Sequence, residues 1–155
     1  MRWASRCISA GSCRLADLLV GIDVGTQSSK GVLVRPNGSV VAEAREPHPM
    51  FDVRNPGWAE QDADAVWWAD VCSIARRLAA AVPTGDRIGG VAVSAIGPCV
   101  LPLDETGRPL RPAILYGVDT RATEQIAALE ARYGAAELER WSGMELGSQA
   151  SGPKI

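Results

Sequence analysis

The sequence predicts an α/β domain in which a mixed sheet begins as a three-stranded antiparallel meander and is flanked by helices. Three observations carry this. Short apolar runs joined by tight turns fill residues 18–44, an apolar stripe at helical spacing follows at 67–82, and a strand-like run at 88–94 precedes two more helical patterns. A length of 155 residues suits one domain, and 46% apolar residues suffice for a core.

The elements follow in order. Leu18-Leu19-Val20-Gly21-Ile22-Asp23 reads as a buried strand ending in an acid, Gly25–Ser29 as a turn, and Lys30–Arg35 as a second strand. Pro36-Asn37-Gly38 is a hairpin signal leading into a third strand, Ser39–Ala44. Two tight turns between three strands imply a meander rather than a βαβ unit. Prolines and glycines make 47–57 a loop. A helix starts at Asp62 or Asp64 and runs to about Val82, stopped by Pro83, with Trp67, Val71, Ile74, Leu78 and Val82 on one face. Thr84-Gly85-Asp86 turns the chain into Ile88–Ser94, read as a central strand. Val100–Leu103 reads as another strand, Asp104–Gly107 as a turn, and Pro112–Tyr116 precedes a polar loop. A second helix carries Ala122, Ile126, Leu129 and Tyr133 and ends at Gly134, and a shorter one passes through Leu138 and Trp141.

Composition removes several function classes. Sixteen basic and eighteen acidic residues give a net charge of −2, with no basic footprint for nucleic acid or anionic lipid. No apolar run approaches the ~20 residues of a membrane span. The expectation is a soluble, cytoplasmic protein with neither nucleic acid nor membrane as partner. Cys7, Cys13, Cys72 and Cys99 form no CxxC pair and His48 is the one histidine, which speaks against a zinc site or a disulfide framework. Residues 1–17 lack the apolar core of a signal peptide and read as a disordered leader. There is no GxSxG elbow for a hydrolase. His48, in a proline-rich loop, is expected to be exposed.

The chemistry concentrates in Val20-Gly-Ile-Asp-Val-Gly-Thr-Gln-Ser-Ser-Lys-Gly-Val-Leu-Val34. A strand delivers Asp23 to its end, and Gly25 permits close backbone approach. Thr26, Ser28 and Ser29 add hydroxyls beside exposed turn amides, which together form an anion-binding concavity. A carboxylate cannot hold phosphate, but it can hold Mg²⁺ that carries phosphate. Lys30-Gly31 opens a strand, so this is no Walker A loop, and the glycine spacing is not the dinucleotide fingerprint. On its own the segment is also compatible with a plain hairpin and a solvated acid.

GIDVGTQSSKGVLV with PNG and the VVAEA strand resembles the N-terminal phosphate hairpin of the FGGY carbohydrate kinases, within the sugar kinase/heat-shock protein/actin superfamily. Pro56-Gly57-Trp58-Ala59-Glu60-Gln61-Asp62 with Trp67-Trp68, the strand Ile88–Ser94, Leu103–Leu115, and Tyr116-Gly117-Val118-Asp119-Thr120-Arg121-Ala122 are similar to further segments of that family in the same order. The resemblance covers residues 18–155. It implies an actin-like ATPase (ribonuclease H-like) fold, ATP and Mg²⁺ as cofactors, and a sugar or polyol, pentulose-like, as phosphoryl acceptor. It places Asp23 at Mg²⁺, and Gly25, Thr26, Gln27 and the basic Lys30 at the phosphates. Asp119 would accept from sugar hydroxyls. Arg121 would fix Asp119 or the substrate, or simply be exposed, and Tyr116 would stack on the sugar or pack. Ile96-Gly97-Pro98-Cys99 stands where the xylulokinase branch reads its sugar through a Gln-Met-His segment, so Gly97 and Pro98 would line a different pocket.

The family's catalytic aspartate and adenine-contacting glycines belong to a second domain, so no residue here is assigned as the base. The resemblance therefore implies a truncated N-terminal kinase domain, residues 18–155, inactive by itself, and a homodimer for the full-length protein. The alternatives are a non-catalytic sugar- or partner-binding module, a gene remnant, and a different ATPase of the same superfamily.

Overall fold

The computed structural model describes residues 17–49 and 55–155. Three strands form the expected meander: β1 (Asp17–Val24), β2 (Ser28–Val34) and β3 (Val40–Pro47). β1 pairs antiparallel with β2, and β2 with β3. The strands run one to three residues beyond the apolar patterns. β1 takes in Asp17, the last residue of the expected leader, whose other sixteen residues lie outside the described ones.

A strand at Arg87–Ala95, β5, pairs parallel with β1 and completes the order β3-β2-β1-β5. It lies at the sheet edge, which corrects its reading as a central strand. An apolar run reports the cover a strand is built to receive, not its place in the sheet. Here Val91 and Val93 remain 64% and 61% exposed.

The long helix is composite. Asp62 caps it, accepting hydrogen bonds from the Asp64 and Ala65 amides. A π-helical turn occupies Ala63–Trp68, and α1 proper runs Ala69–Ala80, with the chain leaving it before Pro83. The stripe is as expected. Ile74 and Leu78 are buried with Leu18, Val20, Ile22, Val24, Leu33 and Ala44, and Trp67, Val71 and Val82 pack against them. The register leaves Gly31 directly beneath α1, where a Cβ would stand 2.3 Å from Ile74 Cγ2 and 3.0 Å from Leu78 Cδ1. Only a glycine admits the helix at this separation.

The remaining chain wraps back on the loop before α1. Instead of a strand at Val100–Leu103, there are isolated bridges from Val100 to Ile114 and from Leu103 to Pro109. Pro102 has no N–H to give a ladder, which breaks the run. A second sheet, absent from the pattern reading, pairs β4 (Glu60–Gln61) with β6 (Ala113–Ile114). Helices α2 (Thr123–Tyr133) and α3 (Ala135–Ser142) follow, with Tyr133 and Trp141 edge to face at 5.6 Å. A 3-10 turn at Gly152–Lys154 ends the chain. No helix among the described residues is long and apolar enough to cross a membrane.

Candidate functional site: a phosphate turn and a charged clasp

The β1–β2 turn stands at the carboxyl end of the parallel pair β1 and β5, where open α/β sheets place their ligands. Asp23 and Lys30 are register partners across β1 and β2, and Ser94 is the register partner of Asp23 on β5. These three residues, with Gly21, Val32 and Ala92, line an open cleft of about 360 Å³. Asp23, Thr26, Gln27 and Lys30 are exposed.

The turn is closed by the Gly25 N–H donating to the Ser28 carbonyl at 3.1 Å. A Cβ on Gly25 would meet that same carbonyl oxygen at 3.0 Å and approach Asp23 Oδ2 at 4.0 Å, so the glycine keeps open the space beside the carboxylate. Among the described residues the Thr26 and Gln27 amides have no hydrogen-bond partner. An exposed carboxylate, two free adjacent amides and a cradle that a methyl would fill suit a Mg²⁺–phosphate group.

Gly97 and Pro98 are exposed and follow directly from β5, where the Ile96 amide donates to the Val24 carbonyl at 2.9 Å. They therefore leave β5 at the end of the sheet that carries the β1–β2 turn. Cys99 comes next, half-buried, its thiol pushed up by burial.

Asp119 and Arg121 lie in a different constellation. Asp119 is fully buried, with both oxygens occupied. Oδ2 accepts from the Ala59 amide at 2.7 Å and from the Arg121 guanidinium at 2.7 Å, and Oδ1 from the Arg121 amide and Nε at 3.1 and 2.9 Å. Burial alone would raise this carboxyl. Hydrogen bonds from the Arg121 side chain and the Ala59 and Arg121 amides, with the guanidinium charge, outweigh it and hold the group below the ordinary carboxylate value.

Arg121 also donates to Glu60 Oε1 at 2.8 Å, and Arg111 shares that oxygen. The Arg121 guanidinium lies 4.1 Å over the Trp58 ring, which offsets part of the loss at its Nη1, buried without a hydrogen bond among the described residues. Backbone bonds from Leu115 to Ala59 and from Thr120 to Gly57 complete a clasp between the Gly57–Gln61 loop and the 115–121 segment. Of the roles considered for Arg121, this geometry carries the fixing of Asp119. It leaves Asp119 no free acceptor for a sugar hydroxyl.

Two features were missed by sequence reasoning. Lys154 Nζ donates to the Leu115 and Ser148 carbonyls at 3.0 and 2.6 Å, and burial lowers its pKa against the partial offset of Asp119 and Cys99. His48, expected to be exposed, is buried instead, its side chain 4% accessible between Asp70 and Gly25. The loop composition misled, because β3 extends to Pro47 and draws His48 against α1. Cys7 and Cys13 lie outside the described residues.

The fold is that of an actin-like α/β domain. Residues 18–155 match the N-terminal domain of the FGGY family of carbohydrate kinases, and the chain belongs to that family. It is 28% identical over 142 residues to a glycerol kinase from Beutenbergia cavernae, covering 91% of this chain and 28% of that relative. A glycerol kinase from Oceanobacillus iheyensis is 32% identical over 109 residues, covering 70% of this chain and 21% of the relative. Among solved structures, xylulose kinase from Rhodospirillum rubrum superposes with a TM-score of 0.80 at 32% identity, over 88% of this chain and 28% of that one. The chain thus spans little more than a quarter of the length of such relatives.

Proposed function

We propose that this chain is the phosphate-binding portion of an ATP-dependent kinase that phosphorylates a hydroxyl of a small sugar or polyol. The single observation that supports the reading most is the β1–β2 turn: Asp23 exposed beside the Thr26 and Gln27 amides, which have no partner among the described residues, in a space that Gly25 keeps open. Mg²⁺ bound with ATP would neutralise phosphate charge during transfer. Asp23 would hold the metal, the Thr26 and Gln27 amides would donate to phosphate oxygens, and Lys30, register partner of Asp23, would add positive charge.

The acceptor class follows from Gly97-Pro98-Cys99, which offers no charged side chain beside the turn. The discrimination of a pocket is limited to the polar groups it contains. A small polyol fits as well as a pentulose, in line with the glycerol and xylulose kinases among the relatives. In this reading Asp119 and Arg121 act through the clasp they hold together and do not touch the sugar.

The 155 residues are expected to bind ATP–Mg²⁺ weakly and not to turn over. Incubating the chain with ATP, Mg²⁺ and a panel of glycerol and pentuloses, with calorimetry in parallel, tests both halves. Binding without turnover is the expected result. Robust phosphorylation would show that the chain carries its own base, and absence of any nucleotide binding would remove the kinase reading in favour of a non-catalytic module.

A further inference from the structure

Residue 48 grips the phosphate turn twice. Its backbone N–H donates to the Gln27 carbonyl at 3.1 Å, and its imidazole Nε2 lies 3.2 Å from the Gly25 carbonyl. The other ring nitrogen, Nδ1, lies 2.8 Å from Asp70 Oδ2 in the first turn of α1. The same carboxylate oxygen accepts from Ser29 Oγ at 2.7 Å. The turn, the end of β3 and the start of α1 therefore meet at one buried imidazole. The carbonyl can take a hydrogen bond only from an Nε2–H, and the carboxylate only from an Nδ1–H.

The contact to Gly25 has a directional consequence. In a trans peptide unit the C=O and the following N–H point opposite ways. With the Gly25 carbonyl turned onto His48, the Thr26 N–H is turned away from α1, on the side of the turn where it has no partner among the described residues. A free Gly25–Thr26 peptide could rotate and present an oxygen, which would repel a phosphate.

We propose that His48, held by Asp70 and Ser29, is a positioning residue that fixes the Gly25–Thr26 peptide with its amide facing the phosphate. The inference rests on the phosphate-binding reading of the turn. His48 is not asked to touch the ligand. It sets the donor in place beforehand, so that binding does not carry the cost of ordering it.

The sequence has a single histidine, so a long-range ¹H–¹⁵N spectrum of the 155-residue chain reports one imidazole. Asp70→Asn is expected to move both ring nitrogens. His48→Phe is expected to move the Thr26 and Gln27 amide resonances while those of α3 stay in place, and to weaken ATP–Mg²⁺ binding roughly tenfold, the scale of one lost hydrogen bond. His48→Gln, whose amide still donates, should recover part of that loss, and it covers the case in which the phenylalanine variant does not fold. Ring nitrogens indifferent to Asp70→Asn, turn amides indifferent to both His48 variants, or unchanged affinity in them would each overturn the proposal. If the spectra change as expected but the unaltered chain binds no ATP–Mg²⁺, the phosphate reading fails, and the positioning role falls with it, while the clamp survives as a fold contact.

Discussion

Around the β1–β2 turn the fold rests on apolar volume: β1 and β2 send Leu18, Val20, Ile22, Val24 and Leu33 under Ile74 and Leu78 of α1, with a polar clamp at His48. Around the Trp58–Arg121 clasp it rests on charge, with Asp119, Arg121, Glu60 and Arg111 sharing hydrogen bonds over a short two-stranded sheet. The difference teaches where each region is vulnerable. A close-packed interface responds to changes of shape, and a buried ion network to the loss of one partner. The first region leaves the exposed Thr26 and Gln27 amides without a partner among the described residues, which is why the site is placed there and the clasp is read as its support.

The largest effect should come from the apolar region. Leu78→Ala removes a buried side chain packed on β2 at Gly31 and should cost about 2–5 kcal/mol, read as a shift in the urea midpoint. In the clasp, Arg121→Ala leaves Asp119 buried without its main partner and should cost about 3 kcal/mol. If Arg121→Ala cost nothing, the clasp would not be a structural support. Gly31→Ala should cost about 1–3 kcal/mol, because its methyl would overlap Ile74. A neutral result there would mean that α1 can slide on the sheet.

Acid should separate the two regions further. The Asp119 carboxyl is held low in the folded chain, so its contribution is complete above the ordinary aspartate value of about 4 and is lost as pH falls through the folded value. Urea melts over a pH series should show the gap between the native chain and Asp119→Asn narrowing as pH drops, with no matching change for Leu78→Ala. The smallest effect concerns β5. Val91→Thr with Val93→Thr should leave stability within about 0.5 kcal/mol yet raise the soluble fraction, because both side chains face open solvent. A large loss of stability would mean that the face is covered.

The contrast also explains what could be read from the sequence. The meander and the α1 stripe were legible because periods of 2 and 3.6 are local and record which face is covered. The turn that carries Asp23, Gly25 and Thr26 was legible because a strand, an acid and a glycine are contiguous there. His48 was not, since its partners Gly25 and Asp70 lie 23 and 22 residues away and nothing nearby in the chain announces them. The burial of Asp119 was hidden for the same reason. An aspartate two residues before an arginine reads as surface, and only the Ala59 amide, 60 residues earlier, turns the pair inward. The edge position of β5 depends on pairing, to which an apolar run is blind.

The β1–β2 turn is proposed to hold the phosphates of ATP–Mg²⁺. Calorimetric titration of the chain and of Asp23→Asn with ATP, each with and without Mg²⁺, tests it most directly. Binding is expected to need Mg²⁺ and to be lost in Asp23→Asn. Equal binding by both chains, or binding indifferent to Mg²⁺, would contradict it.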